Sequence, residues 1–297
     1  MLFKRLNLKL FLLLVPALVF FFAFIIYPVF DAVYTSFFQS DGLSKPVWVG
    51  FANWTSELSS PTIYHALGLT LLVMVLSWAV QTPLSLVIGL FLSRESRFTT
   101  VLSIFYFTPL LFSAAALGIA WSYILNPNFG LVQAVITNIL HLHYVADLLG
   151  NTHAVLFTLI VIIAWEFIPF HTLLYQSGAR AIPVSLYEAA QLDGVTSWTR
   201  LWHITIPQLK NTIVTSSVIM LTGSLTYFDI IFVLTNGGPG DSSDVIALEM
   251  YKTAFQQYQF GPGSTIAVTM TVFGLLLSLV LVKTTGFSRM ESQMEGA

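Results

Sequence analysis

Two acidic residues, Glu166 and Asp229, lie inside long apolar stretches of the sequence. Ionisable groups at membrane depth are costly, and they usually face a cavity or one another. Both have aromatic neighbours: Trp165, Phe167 and Phe170 near the first, and Tyr227, Phe228 and Phe232 near the second. Carboxylates accept hydrogen bonds from hydroxyl groups, and aromatic rings stack on the apolar faces of sugars. The pattern therefore favours a pathway for a neutral, hydroxyl-rich molecule.

A structural interpretation of these residues stays open. A single intramembrane Glu is often a hydrogen-bond acceptor for a neighbouring helix, and aromatic side chains in a span mostly serve packing. Pro169 lies one turn beyond Glu166, where it frees backbone carbonyls that could line a cavity. Trp78 and Gln81 are weaker candidates for the same pathway.

The composition shows which elements must position these side chains. Of the 297 residues, 56% are hydrophobic and 9% are charged, against about 25% charged in soluble domains. The chain is therefore an integral membrane protein. A hydrocarbon core of about 30 Å needs about 20 apolar residues per helix. The stretches that meet this requirement are 10–31, 66–92, 101–125, 153–179, 209–235 and 264–283.

Positive charge predicts the orientation. Ten of the twelve Lys and Arg residues, including Lys4, Arg5 and Arg289, fall on one side of these stretches, and only Lys45 and Lys252 fall on the other. Basic residues are enriched in cytoplasmic segments. We therefore expect an all-α membrane fold with six transmembrane helices, both termini in the cytoplasm and a single transmembrane domain, 1–297. The first apolar run is too long for a signal peptide and reads as an uncleaved helix. Residues 131–143 predict a short interfacial helix.

A polar segment, residues 180–208, separates the fourth and fifth apolar stretches. A helix is predicted to start at Pro183, with Ser185 and Glu188 forming a capping box. Gly194 can take the left-handed conformation that ends a helix, and Ser197 can cap a second short helix before Pro207. The segment could enter a cleft in a peripheral partner. The alternative is a plain connecting loop.

Several kinds of chemistry are excluded or disfavoured. The chain has no Cys, which rules out disulfides and thiolate sites. A metal site at His141 and His143 is disfavoured, because no carboxylate lies beside them. The sequence contains no G-x-x-x-x-G-K-[ST], H-E-x-x-H or G-x-S-x-G motif. Energy from ATP must therefore come from another chain, and a membrane enzyme is disfavoured.

The polar segment resembles the EAA loop of ABC-importer permeases. Glu188-Ala189-Ala190 is followed after three residues by Gly194, and after nine more by Ile204-Thr205-Ile206-Pro207. One departure is Ile206, where Leu is usual. The runs 234–240 and 251–255, and the first-helix pattern from Pro16 to Phe37, are similar to MalF-like permeases of carbohydrate importers. A second departure is the run 259–263. Together these features cover nearly the whole chain.

The resemblance implies a type I ABC-importer permease in the cell membrane of a prokaryote. It implies a second, MalG-like permease, two ATPase subunits that bind ATP and Mg, and an extracytoplasmic solute-binding protein. This chain would contact lipid and a sugar, would bind no cofactor or nucleic acid, and would not itself be an enzyme. The coupling residues implied are Tyr187, Glu188, Ala189, Ala190, Asp193, Gly194 and Pro207. The sugar contacts implied are Glu166, Phe167, Phe170, Ser224 and Tyr227, beside Asp229.

Other cargoes and mechanisms stay open. Within the same family, the cargo could be glycerol phosphate or a polyol, although the only Lys residues within the predicted spans, Lys210 and Lys283, lie at their ends, and no Lys or Arg lies deeper to meet a phosphate. A proton-coupled carrier with Glu166 and Asp229 as its relay is a more distant alternative. The EAA-like loop and the absence of a visible two-half repeat both weigh against it.

Overall fold

A computed structural model describes residues 8–285, apart from residues 95 and 142–143. In chain order the α-helices are α1 (Leu8–Phe21), α2 (Tyr27–Thr35), α3 (Ala52–Glu57), α4 (Pro61–Leu92), α5 (Arg97–Tyr106), α6 (Ala114–Ile124), α7 (Leu131–Ala134), α8 (Val155–Arg180), α9 (Val184–Leu192), α10 (Ser197–Arg200), α11 (Ile206–Gln208), α12 (Lys210–Gly223), α13 (Asp229–Leu234), α14 (Ile246–Tyr251) and α15 (Phe260–Thr285). Lys4, Arg5, His143 and Arg289, used above, lie outside the described residues.

Shorter helical types extend or join these helices. π-Helical turns occupy Phe22–Ile26, Val135–Ile139, Leu201–Thr205 and Lys252–Gln256, and 3-10 turns occupy Thr108–Leu111 and Ser224–Thr226. The predicted interfacial helix is therefore helical from 131 to 139. Two short strands, β1 (Phe38–Gln39) and β2 (Val47–Trp48), pair antiparallel, with Phe38 opposite Trp48. This hairpin is a small departure from the all-α expectation.

Among the described residues, four helices are long and apolar enough to cross a membrane: Leu13–Thr35, Pro61–Leu92, Val155–Arg180 and Phe260–Thr284. They correspond to four of the six predicted spans. The other two stretches, 101–125 and 209–235, are each divided, so the expectation of one continuous helix in each was wrong. Pro109 and the cap of α6 divide the first, and an extended Tyr227 divides the second. The six-span count and the cytoplasmic termini stay predictions.

The chain forms two compact units. One comprises the residues up to Tyr64 together with Glu249–Val272, and the other comprises His65–Leu248 with the residues from Phe273 onward. In the first unit the Asn53 amide is buried, and it donates to the carbonyls of Ser36 and Phe38 at 2.8 and 2.9 Å. These bonds fix α3 to the segment in which α2 ends and the hairpin begins.

The second unit packs α4 and α12 against the continuous helix α8. Ser85 of α4 donates to the Ile168 carbonyl at 3.3 Å, and the Trp78 indole N–H donates to Ser217 of α12 at 2.9 Å. His171 of α8 shares a 2.9 Å hydrogen bond with Ser216 of α12. Polar side chains thus join the three helices. They position the two sites described next.

Candidate functional site

A cavity of about 230 Å³ lies in the second unit, where the two divided stretches meet α8. It is lined by Ala114, Ile163, Glu166, Phe167, Gly223, Thr226, Tyr227, Phe228, Asp229 and Ile230. Ala114 is the first residue of α6, and Asp229 is the first residue of α13. Both interruptions in the predicted spans therefore open onto the same cavity.

Local sequence explains both interruptions. Ser113 has extended backbone, and its hydroxyl accepts a hydrogen bond from the Ala116 N–H at 3.3 Å, as an N-cap of α6 does. In the other stretch, α12 ends at Gly223, a 3-10 turn follows, and Tyr227 is extended with ψ of 98°. Irregular backbone at membrane depth is tolerated where it lines a cavity or is buried in protein.

The cavity combines carboxylates with a stacked pair of rings. Glu166 is 8% exposed, and Asp229 is exposed. The rings of Phe167 and Tyr227 are 5.3 Å apart and inclined by 29°. No Lys or Arg is among the described residues that line the cavity. The arrangement can accept hydrogen bonds from hydroxyl groups beside an aromatic face, and it offers no cation to an anion.

Four of the six predicted pathway residues, Glu166, Phe167, Tyr227 and Asp229, line this cavity. Ser224 does not: it is buried, and its hydroxyl donates to the Met220 carbonyl at 2.7 Å. The lining of this cavity also does not include Phe170, Trp78, Gln81 or Pro169. Phe170 is 38% exposed and packs edge-on against His171, and Gln81 is fully buried. Pro169 lines a separate cavity of about 250 Å³ beside Trp165.

Sequence reasoning missed Ile163 of α8 and most of the cavity residues contributed by the divided stretches, which are Ala114, Gly223, Thr226 and Ile230. It named Phe228 only as an aromatic neighbour of Asp229. Signals for the breaks were present, because Pro109 cannot donate a backbone hydrogen bond and Ser113 is a favoured N-cap residue. Treating every apolar stretch as one helix hid them.

The second site is the polar segment after α8. Helix α9 ends with the predicted left-handed glycine, since Gly194 has φ of +70°. The Val195 N–H donates to the Ala190 carbonyl at 3.0 Å, and the Gly194 N–H donates to Gln191 at 3.1 Å. These two bonds form the Schellman motif, which satisfies the last carbonyls of a helix. The predicted turn at Gly194 is confirmed.

Two predicted caps were wrong. Pro183 occupies the N-cap of α9 and provides no side-chain cap, so Ser185 and Glu188 lie within the helix and form no capping box. The second helix is capped by Thr196, whose hydroxyl accepts from the Thr199 N–H at 3.3 Å. Ser197 is the first helical residue instead. The N-cap of α9 therefore lies two residues before the predicted Ser185, and that of α10 lies one residue before the predicted Ser197.

The polar segment is held by contacts among its own side chains, and several of its predicted coupling residues are exposed. The Tyr187 hydroxyl shares a 3.2 Å hydrogen bond with Thr205, and the Arg200 guanidinium lies 5.6 Å from the centre of the Tyr187 ring. Ala190 is buried. The exposed predicted residues are Glu188, Ala189, Asp193, Gly194 and Pro207. Sequence reasoning missed Leu192, which is 90% exposed on α9.

Polar contacts tie the end of α8 to the end of α4. The Gln176 amide is buried and donates to the Leu92 carbonyl at 2.9 Å. The Arg180 guanidinium donates to the carbonyls of Ser93 and Leu92, each at 3.4 Å. Arg180 is the last residue of α8, directly before the polar segment. A displacement of that segment would therefore act on both helices.

A metal centre has no support in the described part of the chain. Its His, Asp and Glu residues form no group of three that could hold a metal ion. His141 is exposed, and His143 lies outside the described residues.

Residues 81–284 match the family described as binding-protein-dependent transport system inner membrane component. The chain belongs to this family. It is 32% identical over 286 residues to the osmoprotective compounds uptake permease protein GgtC of Synechocystis, covering 94% of this chain and 97% of that protein. It is 30% identical over 283 residues to the trehalose/maltose transport system permease protein MalF of Thermococcus litoralis, covering 94% of each.

The fold also matches a solved structure. One chain of a bacterial alginate ABC transporter, crystallised with an alginate pentasaccharide-bound periplasmic protein, superposes with a TM-score of 0.82 at 21% identity. The match covers 93% of both chains. The predicted resemblance to MalF-like permeases is confirmed, and the protein is an ABC-transporter permease of the inner membrane.

Proposed function

We propose that this chain is a permease subunit of an ATP-driven importer and forms half of the pathway for a neutral carbohydrate, an oligosaccharide or disaccharide. The observation that carries the proposal is the cavity in which Glu166 and Asp229 lie beside the stacked rings of Phe167 and Tyr227. Carboxylates and a ring face suit a neutral, hydroxyl-rich cargo. Two acids with no cation in the described lining disfavour a phosphate.

The polar segment is the proposed contact with the ATPase. Glu188 and Leu192 are exposed on α9, and Gly194 fixes the end of that helix. An exposed helix held by its own turn can enter a groove in a separate subunit, and the bonds of Gln176 and Arg180 would pass its motion to α4. Tyr187 holds this helix through its hydrogen bond to Thr205, Ala190 is buried, and Ala189, Asp193 and Pro207 are exposed.

The rest of the assembly follows from this role. A second, MalG-like permease would complete the pore, two ATPase subunits would bind ATP and Mg, and an extracytoplasmic binding protein would deliver the sugar. The proposal keeps six spans with both termini in the cytoplasm. Nucleotide binding closes the ATPase pair, the docked helices move together, and the cavity is exposed to one side of the membrane and then to the other.

Uptake by the complete transporter in proteoliposomes tests the cavity. Phe167→Ala and Tyr227→Ala should each raise KM for sugar, because each removes a ring face on which the sugar can stack. Glu166→Gln should raise KM as well, because a charged acceptor makes a stronger hydrogen bond than an amide. The matched control is Phe157→Ala, an exposed aromatic of α8 that does not line the cavity.

The same preparation distinguishes the cargo classes. A neutral disaccharide, a polyol, glycerol phosphate and an acidic uronate oligosaccharide are offered in turn. Neutral sugar should be taken up, and binding-protein-stimulated ATPase activity should rise with it. Unchanged KM in all three cavity variants would remove this site from the pathway. Uptake that continues without ATP but stops with a proton ionophore would instead establish the proton-coupled carrier.

A second test addresses the coupling loop. Glu188→Lys reverses an exposed charge, and Gly194→Val places a β-branched residue at φ of +70°, which such residues avoid. Both should abolish uptake while membrane insertion stays normal. Normal uptake by both variants would refute the coupling role.

The osmoprotectant relative supports a second cargo. The permease of Synechocystis is named for osmoprotective compounds and is as similar to this chain as the trehalose/maltose permease. A polyol or another small neutral osmolyte would use the same carboxylates but would depend less on ring stacking. Such a cargo predicts a large effect of Glu166→Gln and a small effect of Phe167→Ala.

A further inference from the structure

The first unit contains a cluster of five aromatic rings directly after its apolar helix. We name it the aromatic cluster: Phe37, Phe38, Trp48, Phe51 and Trp54. Phe37 lies at its centre, stacked on Trp48 at 5.7 Å, edge-on to Phe51 at 5.2 Å and tilted against Trp54 at 6.2 Å. Phe38 contacts Trp48 edge-on at 5.1 Å across the hairpin. The rings thus form one packed surface.

The cluster has an inner and an outer side. Trp54 is half-buried, and its indole N–H donates to the Ser36 hydroxyl at 3.1 Å. Trp48 is 62% exposed and Phe51 is 69% exposed. Among the described residues the Trp48 indole N–H has no acceptor. The outer side therefore offers two large apolar surfaces and one free donor.

The position of the cluster along the chain places it near a membrane boundary. The apolar helix Leu13–Thr35 has 23 residues and spans about 34 Å at 1.5 Å per residue, close to the hydrocarbon thickness of about 30 Å. Phe37 follows Thr35 by two residues, so it lies within about 7 Å of the helix end. The headgroup zone adds roughly 5–8 Å on each side of the hydrocarbon.

We propose that the outer side of the aromatic cluster, Trp48 and Phe51, inserts into the lipid headgroup boundary and anchors the hairpin to the bilayer surface. Trp and Tyr concentrate at this boundary because an apolar ring body and a polar N–H or O–H meet different surroundings there. Large apolar side chains that face water are disfavoured, and lipid relieves that exposure next to a helix that is itself lipid-compatible. The proposal does not depend on the cargo or the ATPase.

The turn at the far end of the hairpin is polar and favours water over lipid. The Asp41 carboxylate accepts hydrogen bonds from the N–H groups of Leu43 and Ser44, at 2.9 and 2.7 Å, and from the Ser44 hydroxyl at 2.8 Å. This ionised turn and Lys45 belong in water. The hairpin therefore has one end suited to lipid and one end suited to water.

Spin labels can measure the depth of the hairpin, since the chain has no Cys of its own. Phe51→Cys places a label on the proposed lipid side and leaves Trp48 in place. Val47→Cys is the matched control, because neighbouring strand residues point to opposite faces and Val47 is also exposed. The full transporter is placed in nanodiscs of phosphatidylcholine and phosphatidylglycerol. Collisions with oxygen, which concentrates in lipid, are compared with collisions with a water-soluble nickel chelate.

The oxygen-to-nickel ratio should be several-fold higher at position 51 than at position 47. Adding Trp48→Ala to the Phe51→Cys protein should lower the ratio, because the anchor is weakened. Equal, water-like ratios at both positions would overturn the proposal. The proposal would also be overturned if the label at position 51 gives a water-like ratio and becomes immobile only when the binding protein is added. That result would assign the cluster to a protein partner.

Discussion

Gly89 and Gly68 provide a matched test of how α8 is held. Both lie in α4. A Cβ at Gly89 would lie 2.7 Å from the Tyr175 Cβ and 3.0 and 3.1 Å from the backbone atoms Thr172 O and Gln176 N. A Cβ at Gly68 would meet nothing within 4 Å. Because backbone atoms cannot rotate away, Gly89→Ala must push α4 and α8 apart.

The magnitude follows from the difference between the two variants. Each Gly→Ala change gains about 0.5–1 kcal/mol of helix stability, and this gain cancels in the comparison. Overpacking a well-packed interface costs about 1–3 kcal/mol. At about 2–4 °C per kcal/mol for a domain of 150–250 residues, Gly89→Ala should unfold roughly 2–12 °C below Gly68→Ala.

Thermal unfolding of the purified transporter in one detergent measures this difference. Unfolding of such assemblies is commonly irreversible, so both variants must be heated at the same scan rate. Uptake should also fall in Gly89→Ala, because Thr172 and Gln176 lie between the cavity and the coupling loop on α8. Equal midpoints for the two variants would refute the close α4–α8 contact.

Three further predictions follow from single contacts. Gln81→Leu should change the unfolding midpoint less than Gln176→Leu does. Neither amide atom of Gln81 has a hydrogen-bond partner of good geometry, whereas Gln176→Leu should cost about 1–3 kcal/mol by removing the donor to the Leu92 carbonyl. Equal midpoints for the two variants would contradict this. Gly194→Ala should cost about 1–2 kcal/mol of local stability and should lower binding-protein-stimulated ATPase activity. Full ATPase activity in this variant would contradict a role of the Gly194 turn in coupling. The hydrogen bonds to Asp41 lower its pKa to about 2, so the stability that they contribute is complete above the unfolded pKa of about 3.9 and is lost as the pH falls toward 2. The protection factors of the Leu43 and Ser44 amides, taken against intrinsic exchange at each pH, should fall over that range in the wild-type protein but not in Asp41→Asn.

Local patterns predicted most of the helices and the coupling loop. Long apolar runs specify membrane helices almost regardless of tertiary contacts, since the backbone must satisfy itself within lipid. The turn at Gly194 was predictable for the same reason: a left-handed glycine and its two backbone bonds lie within six residues. The predicted caps at Ser185 and Ser197 were wrong because Pro183 starts the first helix two residues earlier and Thr196 starts the second one residue earlier.

The cavity could be predicted only in part. Glu166 and Asp229 stood out as acids in apolar runs, and aromatic neighbours singled out Phe167 and Tyr227. Their meeting depends on the two interruptions. An apolar stretch of sufficient length predicts a single helix, and the cost of breaking it is offset only by tertiary contacts that the sequence does not display. Ser224 illustrates the same limit, because its hydroxyl bonds to its own helix instead of the cavity.

The two helix interruptions are tolerated because both open onto one cavity. The second helices of the two divided stretches, α6 and α13, pack closely, since a Cβ at Gly118 would lie 2.8 Å from the Val233 side chain. Where these helices begin, at the cavity, they leave backbone groups that only protein or cavity contacts can satisfy. α8, by contrast, stays continuous past Glu166 to Arg180, about 21 Å along its axis. Under the proposed function, the divided helices supply a deformable wall, and α8 is the rigid element through which the coupling loop moves it.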